Sequence, residues 1–200
     1  MQSTKNEMKK YQIIYADPPW KYGDKVLNNG HGKRFDSLNL KYDSLNEHNI
    51  SELKVSKISD ETCVLFIWTT DSHIQEALNV IKKWGFKYKT VAFYWLKVSK
   101  NTGKPQSNLG KWTQKNAEIC LFATKGKCQK LLKNRKIHQL IIAPRTEHSR
   151  KPYQAIKNIE LMFGDLPRIE LFARQKTEGW DVWGNEIPND VELTSAQRYI

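Results

Sequence analysis

Asp17-Pro18-Pro19-Trp20 is the part of this sequence best suited to chemistry. Proline has no N–H and cannot continue a helix or a ladder. A carboxylate followed by two prolines therefore makes a stiff edge, with the Asp17 side chain and the Pro18 and Pro19 carbonyls as free acceptors. Trp20 adds a flat apolar platform. The set suits a planar substrate bearing an exocyclic amine, such as adenine or cytosine, stacked on the ring and held by two acceptors. That amine is a weak nucleophile because its lone pair is delocalised into the ring. Two acceptors favour pyramidalisation and turn the lone pair towards an electrophile. The plainer reading, a structural Asp-Pro turn with Trp20 in the core, stays open at this point.

Other polar residues fall where packing alone would not put them. Lys151 lies near the start of a predicted helix, where the dipole disfavours a cation unless an anion meets it; a lysine snorkelling into solvent is the ordinary alternative. Glu170 sits within the apolar run of residues 168–173, and a charge there needs a partner, either Arg174 or ligand hydroxyls. Asn185, followed by Glu186, can cap its own turn or reach a ligand. The five histidines have no mutual metal spacing and HExxH is absent, so no metal site is expected. Neither a Gly-rich dinucleotide fingerprint nor a P-loop occurs, so dispersed residues must hold any cofactor.

Charge narrows the partner. The chain has 33 basic and 21 acidic residues, a net charge of +12. Residues 77–145 hold sixteen Lys or Arg against one acid, Glu118, which leaves the remainder slightly acidic. Surfaces ordinarily mix signs, so a single-sign stretch of this length points to a polyanion whose phosphates the cations neutralise. Lysines spent on solvated faces are the bland alternative. Lys100, Lys104, Lys111 and Lys115, with Trp112 among them, stand in a loop-like segment and are the candidate nucleic-acid contacts. No apolar run is long enough to span a membrane. The opening ten residues lack the apolar core of a secretory leader. Three cysteines, an odd number without metal spacing, suit a reduced, cytoplasmic protein in which they pack as small hydrophobes.

The elements that must position these residues alternate between strand and helix. Residues 11–16 read as a buried strand ending at the Asp-Pro-Pro edge. Residues 22–42 form a candidate lid or substrate loop. Ser44 and Glu47 fit a capping box for a helix burying Ile50, Leu53 and Ile58. Residues 62–68 are a strand covered on both faces. Thr70 or Asp71 then caps a helix with Ile74, Leu78 and Ile81 inward, closed by Gly85. Strands follow at 86–98, 118–123 and 140–143, the basic stretch 124–136 intervening. Ser149 as N-cap and Pro152 in the first turn begin a helix that packs Ala155, Ile156, Ile159, Met162 and Phe163 and stops at Gly164. Residues 168–173 give the last clear strand, 179–186 an aromatic turn, and 188–200 a peripheral tail. This alternation predicts a single α/β domain over residues 1–200, largely parallel, with helices on both faces and ligands beyond the strand carboxyl ends.

Taken together, the segments YADPPW, GKW at 110–112, NAE at 116–118 leading to Lys125-Gly126, HSRKP at 148–152, ELFAR at 170–174 and GWDVWGNE at 179–186 resemble the MT-A70 family of adenine N6-methyltransferases. The resemblance runs over residues 11–186 and implies a Rossmann-like methyltransferase domain using S-adenosylmethionine. Carried over, Asp17, Pro18, Pro19 and Trp20 look like the amine-binding catalytic motif, with Asp17 also near the cofactor's amino group. Lys151 resembles the lysine that meets the cofactor carboxylate. Glu170, Arg174, Asn185 and Glu186 resemble residues around its ribose and adenine. Trp112 and its neighbours look like substrate-loop residues. The compact chain resembles bacterial and phage members, so DNA is the expected substrate, with RNA the alternative. A non-catalytic nucleic-acid-binding partner is the rival of another class, and an oligomeric or heteromeric partner is compatible with the family. An intact DPPW motif speaks for catalysis.

Overall fold

The computed structural model describes residues 9–21, 45, 47–110, 112–145 and 150–193. Its centre is a seven-stranded sheet in the order β5-β3-β4-β2-β1-β6-β7. The strands are β1 (Tyr11–Ala16), β2 (Ser59–Thr69), β3 (Lys87–Val98), β4 (Ala117–Lys125), β5 (Leu140–Pro144), β6 (Arg168–Leu171) and β7 (Asp181–Trp183). Each strand pair is parallel except those made by β4, which runs antiparallel to both β2 and β3.

Alternation along the central strands explains why they read as unbroken apolar runs. Ile14, Ala16, Leu65 and Ile67 face one layer, where α1 (Glu47–Ser51), α2 (Val55–Ile58) and α3 (Ile74–Lys83) supply Ile50, Val55, Ile58, Ala77, Val80 and Ile81. Ile13, Tyr15, Val64, Phe66 and Trp68 face the other layer, closed by Ala155, Ile156, Ile159 and Phe163 of α4 (Tyr153–Phe163). Side chains that alternate by two thus find apolar cover on both sides, as expected for a sheet with helices on each face. The three cysteines are buried and free.

Several expectations need correction. Residues 181–183 form a seventh strand, because Val182 and Trp183 are buried and pair with Glu170 and Leu171 of β6. The preceding strand stops at Leu171 since Phe172 takes a positive φ of 61°, a region L-residues seldom occupy. Ile74 is exposed rather than inward: a short 3₁₀ turn, Asp71–His73, precedes α3, and the buried face begins at Ala77. Pro152 is the N-cap of α4 in extended backbone, not a first-turn residue; Ser149 and Ser44 lie outside the described residues. Within the segment expected to be peripheral, Leu193 is buried and its carbonyl accepts from the Lys54 amide at 3.2 Å. Asp190 and Asn189 accept hydrogen bonds from the Val182 and Gly184 amides at 2.8 and 2.7 Å, which covers the outer edge of β7.

Candidate active site

The antiparallel course of β4 determines what gathers at the carboxyl edge of the sheet. Asp17 leaves the end of β1, and the start of β4 lies at the same edge because Thr69 pairs with Ile119. Glu118, the lone acid of the basic stretch, thereby reaches the site. Lys151, just before α4, ties the two acids together: its Nζ lies 2.6 Å from Asp17 Oδ1 and 3.2 Å from Glu118 Oε2. Lys97, near the end of β3, forms a further ion pair with Glu118. The Lys151 ammonium also stands 5.8 Å above the Trp68 ring. Two ammonium groups therefore balance two carboxylates in a largely enclosed cluster.

The environment sorts these groups. Burial pushes the Asp17 carboxyl above its ordinary range, Lys151 opposes, and the Glu118 charge adds to the rise. Glu118 is also desolvated, but Lys151 and Lys97 outweigh burial and hold it low. For Lys151, burial would lower the pKa, and Asp17 with Glu118 more than reverses that. Glu118 is thus the firmly ionised anchor, and Asp17 is the carboxylate whose charge a ligand cation would stabilise further.

Beside Asp17 lies a cavity of about 230 Å³ whose walls include Tyr15, Lys151, Ile156, Glu170, Phe172, Arg174 and Thr177. Glu170 stands on β6 next to Tyr15 of β1. Its carboxyl is raised from 4.5 to about 7, by burial first and the Asp17 charge second, against a 3.4 Å hydrogen bond donated by the Thr177 hydroxyl. Arg174 pairs with Glu186 at 3.7 Å rather than with Glu170. The structure thus gathers Asp17, Lys151, Glu170 and Arg174 on one cavity; Glu186 pairs with Arg174, and Asn185 is exposed and does not line the cavity.

The raised Glu170 pKa has a signed consequence. Below pH ~4.5 the group is protonated whether the chain is folded or not, and it costs nothing. As pH rises towards 7 the unfolded chain ionises first, so the folded state loses up to about 3 kcal/mol and keeps that penalty above pH 7. Glu170→Gln is expected to stabilise the ligand-free protein at pH 8 and to leave its stability nearly unchanged at pH 4. Urea unfolding of both proteins at the two pH values checks this, and an equal change at both would contradict it.

The Asp-Pro-Pro-Trp edge differs from its expected form in two respects. Neither proline carbonyl is free: the Pro18 oxygen accepts from the Trp20 amide and the Pro19 oxygen from the Leu45 amide, both at 2.9 Å. A carbonyl has two lone pairs, so each retains one acceptor direction. Nor is Trp20 an open platform. It is 8% exposed, its indole N–H donates to the Trp68 carbonyl at 2.9 Å, and its ring stacks on His73 at 6.1 Å. His73 in turn meets the Lys21 carbonyl at 3.2 Å and the Thr70 hydroxyl at 3.0 Å. Trp20 therefore braces the edge from within the core.

Sequence reasoning did not assign Glu118, Lys97, His73 or Thr177 to the site. A solitary acid in a basic stretch was a signal for Glu118, but its destination depends on the direction of β4. Of the candidate nucleic-acid residues, Lys100 and Lys104 are exposed. Trp112 is 90% exposed. Lys115 pairs with Asp71 at 3.0 Å, and Lys111 lies outside the described residues. The basic stretch from Lys125 begins at the end of the sheet opposite Asp17, where Lys125 pairs across from Cys63.

A mixed, mostly parallel seven-stranded sheet with helices on both faces, bearing its polar centre beyond β1 and β6, is an α/β methyltransferase-type domain. The MT-A70 family profile matches residues 11–186, and the chain belongs to that family. It is accordingly an adenine N6-methyltransferase. The chain is 40% identical over 197 residues to the type II methyltransferase M.MunI of Mycoplasma sp, covering 92% of this chain and 82% of that protein. It is 29% identical over 201 residues to human METTL4, an N(6)-adenine-specific methyltransferase, covering 94% of this chain and 39% of the relative. An Arabidopsis thaliana N(6)-adenosine-methyltransferase MT-A70-like protein shares 26% over 191 residues, with 92% and 24% covered.

Proposed function

We propose that the protein transfers a methyl group from S-adenosylmethionine to the N6 amine of adenine in DNA. The observation that carries this reading is the Asp17 carboxylate, held by Lys151 at the β1 edge and open to the cavity that Glu170 and Thr177 wall. The likeness to a type II methyltransferase over most of both chains supports DNA. By comparison, the likeness to the RNA methyltransferase MTA1 of Cryphonectria parasitica is 26% over 52% of that protein. No helix among the described residues is long and apolar enough to cross a membrane, and the likeness to a type II methyltransferase supports a cytoplasmic location.

The donor set fits S-adenosylmethionine. Glu170 is a half-buried acceptor on the cavity wall, suited to ribose hydroxyls, and Arg174 with Glu186 borders it. Asn185 serves the rim. An ammonium has three protons; Asp17 and Glu118 take two from Lys151, and the third serves a ligand carboxylate. Asp17 offers its charge to the ligand's amino group and an oxygen to the target amine. When bound, the cofactor supplies an electrophilic methyl group on a sulfonium. The protein's own work is orientation: Asp17 and the remaining lone pair of the Pro18 carbonyl accept the two amine protons and direct the nitrogen lone pair, while Pro19 and the buried Trp20 keep the edge from swinging. After transfer the extra proton of the amine passes to Asp17 or to water. The base must leave its stack to reach Asp17.

The reading is tested by offering duplex DNA, single-stranded DNA and RNA libraries together with methyl-labelled cofactor. Label is expected in DNA, and label confined to RNA would overturn the choice of substrate. Neutralising Lys100, Lys104 and Lys111 together should weaken matched and unmatched DNA alike. It should also lower the magnitude of the slope of log affinity against log salt by up to ~3, at about 0.9 per lost phosphate contact. Fluorescence anisotropy over a salt series measures this. An unchanged slope would return these lysines to the solvated surface.

A further inference from the structure

The connection between β3 and β4 carries an exposed apolar tip that the reaction as described does not use. Asn108 and Lys115 exchange both backbone hydrogen bonds, at 2.7 and 2.9 Å, in an isolated antiparallel bridge that draws the two sides of the connection together. The bridge is tied down on two sides. Lys115 reaches Asp71 at 3.0 Å, and Arg145 donates to the Asn108 side chain at 3.4 Å. At its root the Gln106 amide donates to the Lys97 carbonyl at 2.8 Å. At the tip, Leu109 and Trp112 are each 90% exposed, the highest values among the large hydrophobic residues described. Gly110 lies close against Thr113, because a Cβ there would stand 2.1 Å from the Thr113 carbonyl oxygen.

An apolar pair left exposed in a braced connection is an unusual use of leucine and tryptophan, since neither contributes its bulk to the core. Its surroundings point to the partner. Residues 99–115 contain lysines and no acid, and the connection leaves the edge where Lys97 and Glu118 adjoin Lys151 and Asp17. The tip therefore stands on the side of the molecule where a nucleic acid must present its adenine. Removing a base from a duplex leaves a gap in the stack. An apolar side chain entering that gap recovers contact that the extruded base gave up.

We propose that Leu109, with the exposed Trp112 in the same connection, is a wedge that enters the base stack of duplex DNA and holds open the space vacated by the target adenine. The proposal rests on the DNA-methylation reading above. Phosphate contacts by the flanking lysines bring the duplex to the tip, and the wedge acts only where a stack has to be opened.

The test compares two duplexes containing the site that the wild-type protein methylates most readily, located by sequencing its products on random DNA. In one the target adenine faces thymine; in the other it faces an abasic position, where pairing is already lost. Leu109→Ala is expected to lower kcat/KM on the paired duplex by about tenfold or more, from the apolar burial of one leucine, and by about twofold on the abasic duplex. Leu109→Met, which keeps an apolar side chain of similar volume, should restore most of the loss. Losses of equal size on both duplexes, or no loss on the paired one, would overturn the wedge. An equal loss accompanied by a changed sedimentation coefficient would make the tip a contact between protein subunits and overturn it as well. Failure of the wild type to methylate either duplex would instead defeat the reading on which the wedge depends, and the wedge with it.

Discussion

Asp17→Asn is expected to lower kcat/KM for methyl transfer by about 10²- to 10³-fold, the scale of removing one preorganised electrostatic partner of a transition state. The amide can accept one hydrogen bond from the target amine, but it carries no charge and turns a donor towards a group that also donates. The fold should survive. Lys151 keeps Glu118 as its partner at 3.2 Å, and the β1 edge is still fixed by the Trp20 and Leu45 backbone bonds. Steady-state kinetics with circular dichroism on the same preparation checks both halves. A folded variant with wild-type kcat/KM would remove Asp17 from the chemistry.

Lys151→Met has the second large effect, and it acts on stability and ligand together. Removing the ammonium leaves Asp17 without its ion pair and Glu118 dependent on Lys97 alone. Breaking a buried pair by deleting one partner costs about 3–5 kcal/mol, and the access of Asp17 to the cavity puts this case towards the lower end. Affinity for S-adenosylmethionine should fall while salt-dependent DNA binding stays near wild type. Urea unfolding reads the first effect and calorimetry on each ligand the second. Unchanged cofactor affinity with a large DNA-binding defect would assign Lys151 to the phosphate surface instead.

The two substitutions show what local residue types reveal and what only tertiary structure supplies. Strand positions such as Ile13, Ile14, Leu65 and Phe66 declare themselves through continuous apolar character, and the Asp-Pro-Pro sequence marks where β1 must end. The direction of β4 is not encoded that way, since a buried strand reads alike in either sense; it depends on which neighbours accept its hydrogen bonds. Both the arrival of Glu118 and the removal of Lys125 to the far side follow from that one choice. The placement of Trp20 is illegible in the sequence for a related reason. A tryptophan after two prolines can lie outward or fold under, and the choice was made by Trp68 and His73, neither of them near in sequence. The pairing of Arg174 with Glu186 likewise required β7, whose three residues are too few to show a period.

The most direct test of the account asks which atom receives the methyl group. Wild-type protein and Asp17→Asn are each incubated with duplex DNA and deuteromethyl-labelled S-adenosylmethionine. The DNA is then digested to nucleosides, and the labelled product is identified by mass spectrometry against authentic standards. Labelled N6-methyl-2′-deoxyadenosine is expected from the wild type, with its rate of formation lowered by about 10²-fold or more in Asp17→Asn. Label on cytosine or on a ring nitrogen of adenine, or equal rates from the two proteins, would contradict it.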